Sequence, residues 1–167
     1  MQSFQVDSLT FHFPNSWQVC KYDEWAFYRN QFIKMWDEIK AVDLIAIENG
    51  VVLLIEAKDY SQHRRKKKIA IADEVAEKVF CTLAAMLPAK INASDPSERN
   101  FAKDVCNGQK LRIVLHIEQP VKHSKLFPRA IDPTKVQLKL RTLIKPIDPH
   151  PKVVESGYMQ DLAWTVT

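Results

Sequence analysis

Hydrophobic and polar positions repeat with different periods along the chain, and each change of period marks an element. The opening FQVDSLTFHF alternates with period two, carries aromatic residues and breaks at Pro14-Asn15-Ser16. This predicts one or two short strands packed through Phe4, Val6, Leu9, Phe11 and Phe13. Between Tyr22 and Ile39 the period lengthens. Trp25, Tyr28, Phe32, Met35 or Trp36, and Ile39 recur at three-and-four spacing, which predicts an amphipathic helix. Leu44–Ile47 and Val51–Ile55 are dense Val/Ile/Leu runs on either side of Asn49-Gly50, the signature of a tight β-hairpin.

Helical spacing returns after residue 68 in Ala72, Val75, Ala76, Val79, Leu83 and Met86, with Pro88 as the predicted stop. Ser94-Asp95-Pro96 and Asn107-Gly108 bracket a further helix, and Leu111–Ile117 reads as a strand interrupted by Arg112 and His116. His116 fits a strand-surface or satisfied core residue better than a catalyst. Thr134–Leu143 has helical spacing, and Val153-Val154 and Leu162–Val166 predict a final pair of strands around Gly157. The order is helix, hairpin, helix, strand, helix, terminal strands. It predicts one α/β domain over residues 1–167, with a core at about 22–117 and elaborations at both ends.

The hairpin places chemistry. With Asn49-Gly50 as a type I′ turn, Glu48 pairs with Val51 and Ile47 with Val52. Continuing outward, Asp43 falls opposite Glu56. Residues opposite one another in an antiparallel pair point to the same face, and Lys58, two residues beyond Glu56, shares it. Two carboxylates and an ammonium thus meet at the end of an apolar hairpin. Like charges opposite each other are destabilising, and ionised groups leaving water cost several kcal/mol unless paired or metal-bound. A hard divalent cation such as Mg²⁺, held by one or two carboxylates plus water and substrate phosphate, answers that need. The bland alternative is that the strands end there and the three charges sit in solvent.

An Asp opening one strand, a tight turn, then Glu-Ala-Lys closing the next resembles the PD-(D/E)XK nuclease superfamily on Asp43, Glu56 and Lys58. Val42 stands where the motif's name has Pro. The resemblance covers about residues 22–117 and implies a restriction-endonuclease-like fold, a central mixed β-sheet flanked by helices. It implies a metal-dependent DNA endonuclease, with Mg²⁺ (or Mn²⁺ in its place) bound by Asp43, Glu56 and the Ala57 carbonyl. Lys58 then lies beside the attacking water, as an electrostatic group or, with its pKa lowered by burial, as a base. The preceding helix often supplies one more acid in this superfamily. Glu24, on a stripe with Tyr28, is favoured; Glu38, nearer Asp43 in sequence, competes. Asp23 and Glu24 also have an ordinary explanation as first-turn acids facing the helix dipole.

Charge sharpens the nucleic-acid expectation. The chain has 24 basic and 20 acidic residues, a formal net charge of +4. Arg64, Arg65, Lys66, Lys67 and Lys68 account for that excess, in one run shortly after the Glu-Ala-Lys strand. A localised basic stripe suits a polyanion such as DNA; the other reading is a solvated surface run. Lys122, His123, Lys125 and Arg129 are secondary phosphate contacts at best. Composition bounds the rest. A 46% hydrophobic, 26% charged chain of 167 residues is that of a globular protein. No apolar run nears the roughly 20 residues of a membrane span, and the start lacks a signal-segment pattern. Cys20, Cys81 and Cys106 show no C-x-x-C spacing and read as reduced thiols of a cytoplasmic protein. Three glycines leave no room for a Gly-rich nucleotide loop.

No separate recognition domain is apparent, so target choice would come from DNA structure, loops or a partner protein, and cutting two strands implies a homodimer by analogy. Two other classes remain open: a non-catalytic nucleic-acid-binding or accessory subunit of the same fold in a defence or recombination complex, and a structural protein whose acids are mere strand ends.

Overall fold

In the computed structural model, which describes residues 1–122, 124–126 and 129–167, Asn49 and Gly50 both take positive φ, 48° and 76°. A type I′ turn requires this of both central residues. The turn joins β4 (Leu44–Glu48) to β5 (Val51–Asp59) in the register expected from sequence, from Glu48↔Val51 to Leu44↔Ile55. β3 (Gln18–Lys21) pairs antiparallel with the outer edge of β4. On its other side β5 runs parallel to β6 (Lys110–Glu118), with Glu56 level with Leu115 and Lys58 with Ile117. Parallel neighbours need a crossover. Here it consists of α2 (Ile71–Asn92) and α3 (Pro96–Cys106), the latter capped by Asp95. β7 (Lys152–Val154) extends the sheet parallel to β6, giving the mixed order β3-β4-β5-β6-β7.

Alternation along the strands sends their side chains to two cores. Ile45, Ile47, Val52, Leu54, Ile113, Leu115 and Ile117 pack with α2, α3 and α4 (Pro133–Ile144). Leu44, Ala46, Leu53, Ile55, Ala57 and Val114 pack on the opposite side with Phe11, Phe13 and Trp164. That second layer is a small antiparallel sheet, β1 (Gln2–Val6), β2 (Leu9–Phe13) and β8 (Thr165–Val166), in the order β1-β2-β8. The terminal strands thus cover one face of the large sheet. Among the described residues no helix is long and apolar enough to cross a membrane.

Three expectations change. The helix predicted over 22–39 is instead a 3₁₀ turn at Tyr22–Glu24, a short α1 (Ala26–Asn30) and a second 3₁₀ turn at Phe32–Lys34. Glu98, reaching from α3, accepts the Ala26 and Phe27 amides at 2.6 and 3.0 Å and so starts α1 there. Tyr22, Trp25, Phe27, Tyr28 and Phe32 are all buried, a wider arc than one stripe can bury, while Met35 and Trp36 are exposed. Next, α2 does not stop at Pro88. The proline withholds one amide from the exposed Ala84, whose carbonyl can turn to water, and burial of Ala89 and Ala93 beyond it sustains the helix. Finally, the last two strands do not pair with each other: β7 joins the large sheet and β8 the small one. His123 lies outside the described residues.

Candidate active site at the end of the central hairpin

Backbone bonds on both sides hold Asp43 in place, one residue before β4. The Val42 amide donates to Thr82 Oγ1 on α2 at 3.1 Å, and the Tyr22 amide donates to the Asp43 carbonyl at 3.1 Å. The Asp43 side chain in turn accepts the Ala57 amide on Oδ2 at 2.7 Å, which leaves Oδ1 facing the site. Glu56, on the helix-facing side of β5, has a side chain only 1% exposed. Lys58 is one step further along the same face, so the register brings Asp43, Glu56 and Lys58 together.

Helix α2 completes the cluster with Glu74 and Lys78, one turn apart on one face. Lys58 and Lys78 both pair with Glu56 Oε1, Lys78 at 2.5 Å, and Lys78 also lies 3.7 Å from Asp43 Oδ1. Lys58 stands 3.5 Å from Glu74, which is held further by Arg65 at 2.7 Å and Lys67 at 2.5 Å. The result is a row of alternating charge: Asp43, Lys78, Glu56, Lys58, Glu74, then Arg65 and Lys67. Such a row offsets the several kcal/mol per ion that burial costs, and among the described residues Lys78 is the ion-pair partner of Asp43.

The electrostatics follow the degree of compensation. Burial, reinforced by the charge of Asp43, raises the Glu56 pKa to about 7 despite Lys78 and Lys58. Burial acts against the Lys58 ammonium, but Glu56, Glu74 and Asp43 outweigh it and push its pKa up. A base role through a lowered Lys58 pKa therefore does not fit; a permanently charged electrostatic group does. Burial would raise Glu74 too, yet Lys67, Arg65 and Lys58 bring it down to about 2.

The additional acid is differently placed from the sequence expectation. Glu24 is exposed, bonded to Lys21 at 2.6 Å, and lines a separate cavity with Trp25, Ser97 and Phe101. Glu38 is also exposed, at a left-handed turn with φ 65°. Their neighbour Asp23 is the one whose pKa is raised, by burial and then by the charge of Asp43, and its Oδ1 has no hydrogen-bond partner. Tyr22–Glu24 being a 3₁₀ turn, not the first turn of a long helix, explains why adjacent acids diverge.

The basic run 64–68 is divided. Arg65 and Lys67 are committed to Glu74, with Arg65 also donating to Tyr60 Oη at 2.7 Å. Arg64 donates to the Leu126 and Lys125 carbonyls, at 2.9 and 2.5 Å. Lys66 and Lys68 are exposed, and among the described residues neither belongs to an ion pair of the structure. An open cavity of about 400 Å³ runs from Lys58 past Tyr60 and His63 to Arg64, Lys66 and Lys67, joining the buried cluster to this surface. His116, by contrast, is fully buried on the other side of the sheet, with Nε2 2.7 Å from Glu118 and its ring edge-on to Phe11. It is a core histidine.

Sequence alone does not bring Glu74 or Lys78 to the site, and it reads Asp23 only as a first-turn acid. Glu74 and Lys78 did carry a signal, a polar pair at four-residue spacing beside the apolar face of a predicted helix. It is the same spacing as an ordinary surface pair, and only the crossover of α2 over β5 turns it inward.

Among the described residues no group of three or more His, Cys, Asp or Glu is arranged to hold a metal ion. Two carboxylates are nevertheless what Mg²⁺ usually takes from a protein, with water and phosphate completing its shell. Asp43 and Glu56 supply hard oxygen donors, and Glu56 Oε2 is buried without any hydrogen-bond partner. A buried, unpartnered carboxylate oxygen beside a second acid fits a divalent cation.

No family model matches this chain, and no solved structure matches it. Among curated proteins, the chain is similar to the cysteine–tRNA ligase of Neisseria meningitidis serogroup A, 30% identical over 162 residues. The match takes in 79% of this chain and 23% of the ligase, so the chain spans under a quarter of that relative's length.

Proposed function

We propose that the chain is a metal-dependent DNA endonuclease of the PD-(D/E)XK type and fold, hydrolysing phosphodiester bonds at Asp43, Glu56 and Lys58. The observation that carries this reading is the buried Glu56 carboxylate, with one oxygen unpartnered, on the same face as Asp43 and Lys58. Asp43 and Glu56 would hold Mg²⁺ or Mn²⁺, with the Ala57 carbonyl as a further ligand. The ion, when bound, supplies Lewis-acid polarisation of the phosphate and a water of lowered pKa. Lys58, kept charged by Glu56, stabilises the negative charge that builds on the phosphate oxygens. The Ala57 amide holds Asp43 by Oδ2, which leaves Oδ1 turned to the site. Arg64 and Lys66, lining the cavity that opens at Lys58, and the exposed Lys68 offer cations to the sugar-phosphate backbone, a sequence-independent and salt-sensitive contact.

The test is incubation with supercoiled, linear and branched DNA, each with Mg²⁺, Mn²⁺ or EDTA, beside Asp43→Ala. The tRNA ligase similarity puts a tRNA in the same panel. Metal-dependent cleavage lost in Asp43→Ala is expected; cleavage that survives both EDTA and the substitution defeats the mechanism. The same reading takes the protein as cytoplasmic, consistent with free Cys20, Cys81 and Cys106, and as a homodimer or the subunit of a complex that chooses the target.

A second reading is a non-catalytic nucleic-acid-binding subunit of the same fold. It is favoured by Lys78, whose ammonium already answers Asp43 and Glu56 without a metal. That protein would bind DNA with a steep salt dependence and show no divalent-dependent cleavage of any substrate in the panel.

A further inference from the structure

We propose that Lys78 is a built-in counter-ion that a divalent cation must displace. Its ammonium pairs with Asp43 and shares Glu56 with Lys58 in the metal-free protein, and it withdraws when the metal enters. This rests on the metal-dependent reading above and assigns to α2 a positioning residue outside the Asp-Glu-x-Lys set.

Three observations point to exchange. The first is position. Lys78 Nζ stands 2.5 Å from Glu56 Oε1 and 3.7 Å from Asp43 Oδ1, so any cation touching both oxygens competes with it for space and charge. The second is its choice of partners. Lys58 is shared between Glu56 and Glu74, whereas the ion pairs of Lys78 among the described residues are with Asp43 and Glu56 alone. Withdrawing Lys78 therefore leaves the Glu74 cluster with Arg65 and Lys67 intact. The third is an oxygen left over. Lys58 and Lys78 both meet Glu56 at Oε1, while Oε2 stays without a hydrogen-bond partner in a side chain 1% exposed. A doubly charged ion would answer both acids at once.

The means of withdrawal is the lysine itself. Its flexible four-carbon stem rises from a helix fixed by the buried Val75, Val79 and Thr82, and its side chain keeps 15% exposure. The head can swing towards solvent while the helix stays where it is. Thr82 continues to hold the Val42 amide, so Asp43 keeps its place during the exchange.

The experiment titrates Mn²⁺ into the full chain by calorimetry and by thermal unfolding, for wild type, Lys78→Gln, Lys78→Met and Asp43→Asn. Both Lys78 variants should bind Mn²⁺ about tenfold tighter than wild type, because the competing charge is gone. They should also melt lower than wild type without metal and recover with it. Lys78→Gln keeps a hydrogen-bond donor and carries the test should Lys78→Met not fold. A purely structural lysine predicts equal or weaker Mn²⁺ binding in the variants. Equal binding in wild type and both Lys78 variants, abolished by Asp43→Asn, overturns the exchange and leaves the metal site standing. No Mn²⁺ binding by any of them overturns both.

Discussion

Asp43 accepts the backbone amide of Ala57, 2.7 Å away, from across the hairpin. A side chain that ought only to face a site is thereby also the last rung of the β4–β5 ladder, and its two oxygens have different tasks. Asparagine can still accept that amide; alanine cannot. Asp43→Ala should therefore lose about 1–3 kcal/mol of stability, the cost of an unsatisfied buried donor, and Asp43→Asn clearly less. Both should lose metal-dependent cleavage. Urea midpoints beside a cleavage assay check this, and equal midpoints for the two variants would show that the bond is worth little.

Thr82 acts at one remove. Its hydroxyl takes the Val42 amide at 3.1 Å and so sets where the chain enters β4. Thr82→Val preserves shape but leaves that buried amide without a partner, for an expected loss of about 1–3 kcal/mol. With Asp43 displaced, cleavage should fall more than substrate affinity does, whereas Thr82→Ser should restore both. A kcat and KM comparison of the three proteins measures it.

The basic run should separate into two classes. Arg65 and Lys67 serve Glu74, whose side chain is 2% exposed, so Arg65→Ala should cost about 2–3 kcal/mol by leaving a buried charge under-compensated. Lys66→Ala and Lys68→Ala should leave stability unchanged and weaken DNA binding, each reducing the salt slope by about 1. Affinity measured over a salt series, with melting curves on the same samples, distinguishes them. Should Lys66 and Lys68 prove silent in binding, the exposed half of the run is not the interface.

Glu74 and Glu56 should shape stability in separate pH windows. Glu74 is lowered from 4.5 to about 2, so what it contributes is complete above pH 4.5 and is lost as pH falls towards 2. Glu56 is raised from 4.5 to about 7. Between those values the folded protein holds its proton more tightly than the unfolded chain, so stability declines as pH rises through that window. Urea unfolding across both windows should show Glu56→Gln flattening the upper limb and Glu74→Gln the lower. An unchanged upper limb in Glu56→Gln would contradict the assignment.

Much of this site was readable in advance because it is local. Asn49-Gly50 determines the hairpin register, and side-chain alternation then carries Asp43, Glu56 and Lys58 to one face. Capping signals did the same for α3, where Asp95 accepts the Ser97 amide at 2.7 Å. The long helix expected over 22–39 failed for the opposite reason. Its start depends on Glu98, more than 70 positions away, and no local spacing can reveal a cap donated from that distance.

By itself, then, the sequence determined what short-range geometry governs: strand alternation, the turn, helix starts, and the three polar side chains those rules align. Tertiary structure decided which charges answer them. Glu74 and Lys78 read as an ordinary surface pair until the crossover lays α2 on β5, and Asp23 parts from Glu24 only once the aromatic residues around it are packed. Coulombic pairing depends on distance through space and on exclusion of water, and neither is a property of spacing along a chain.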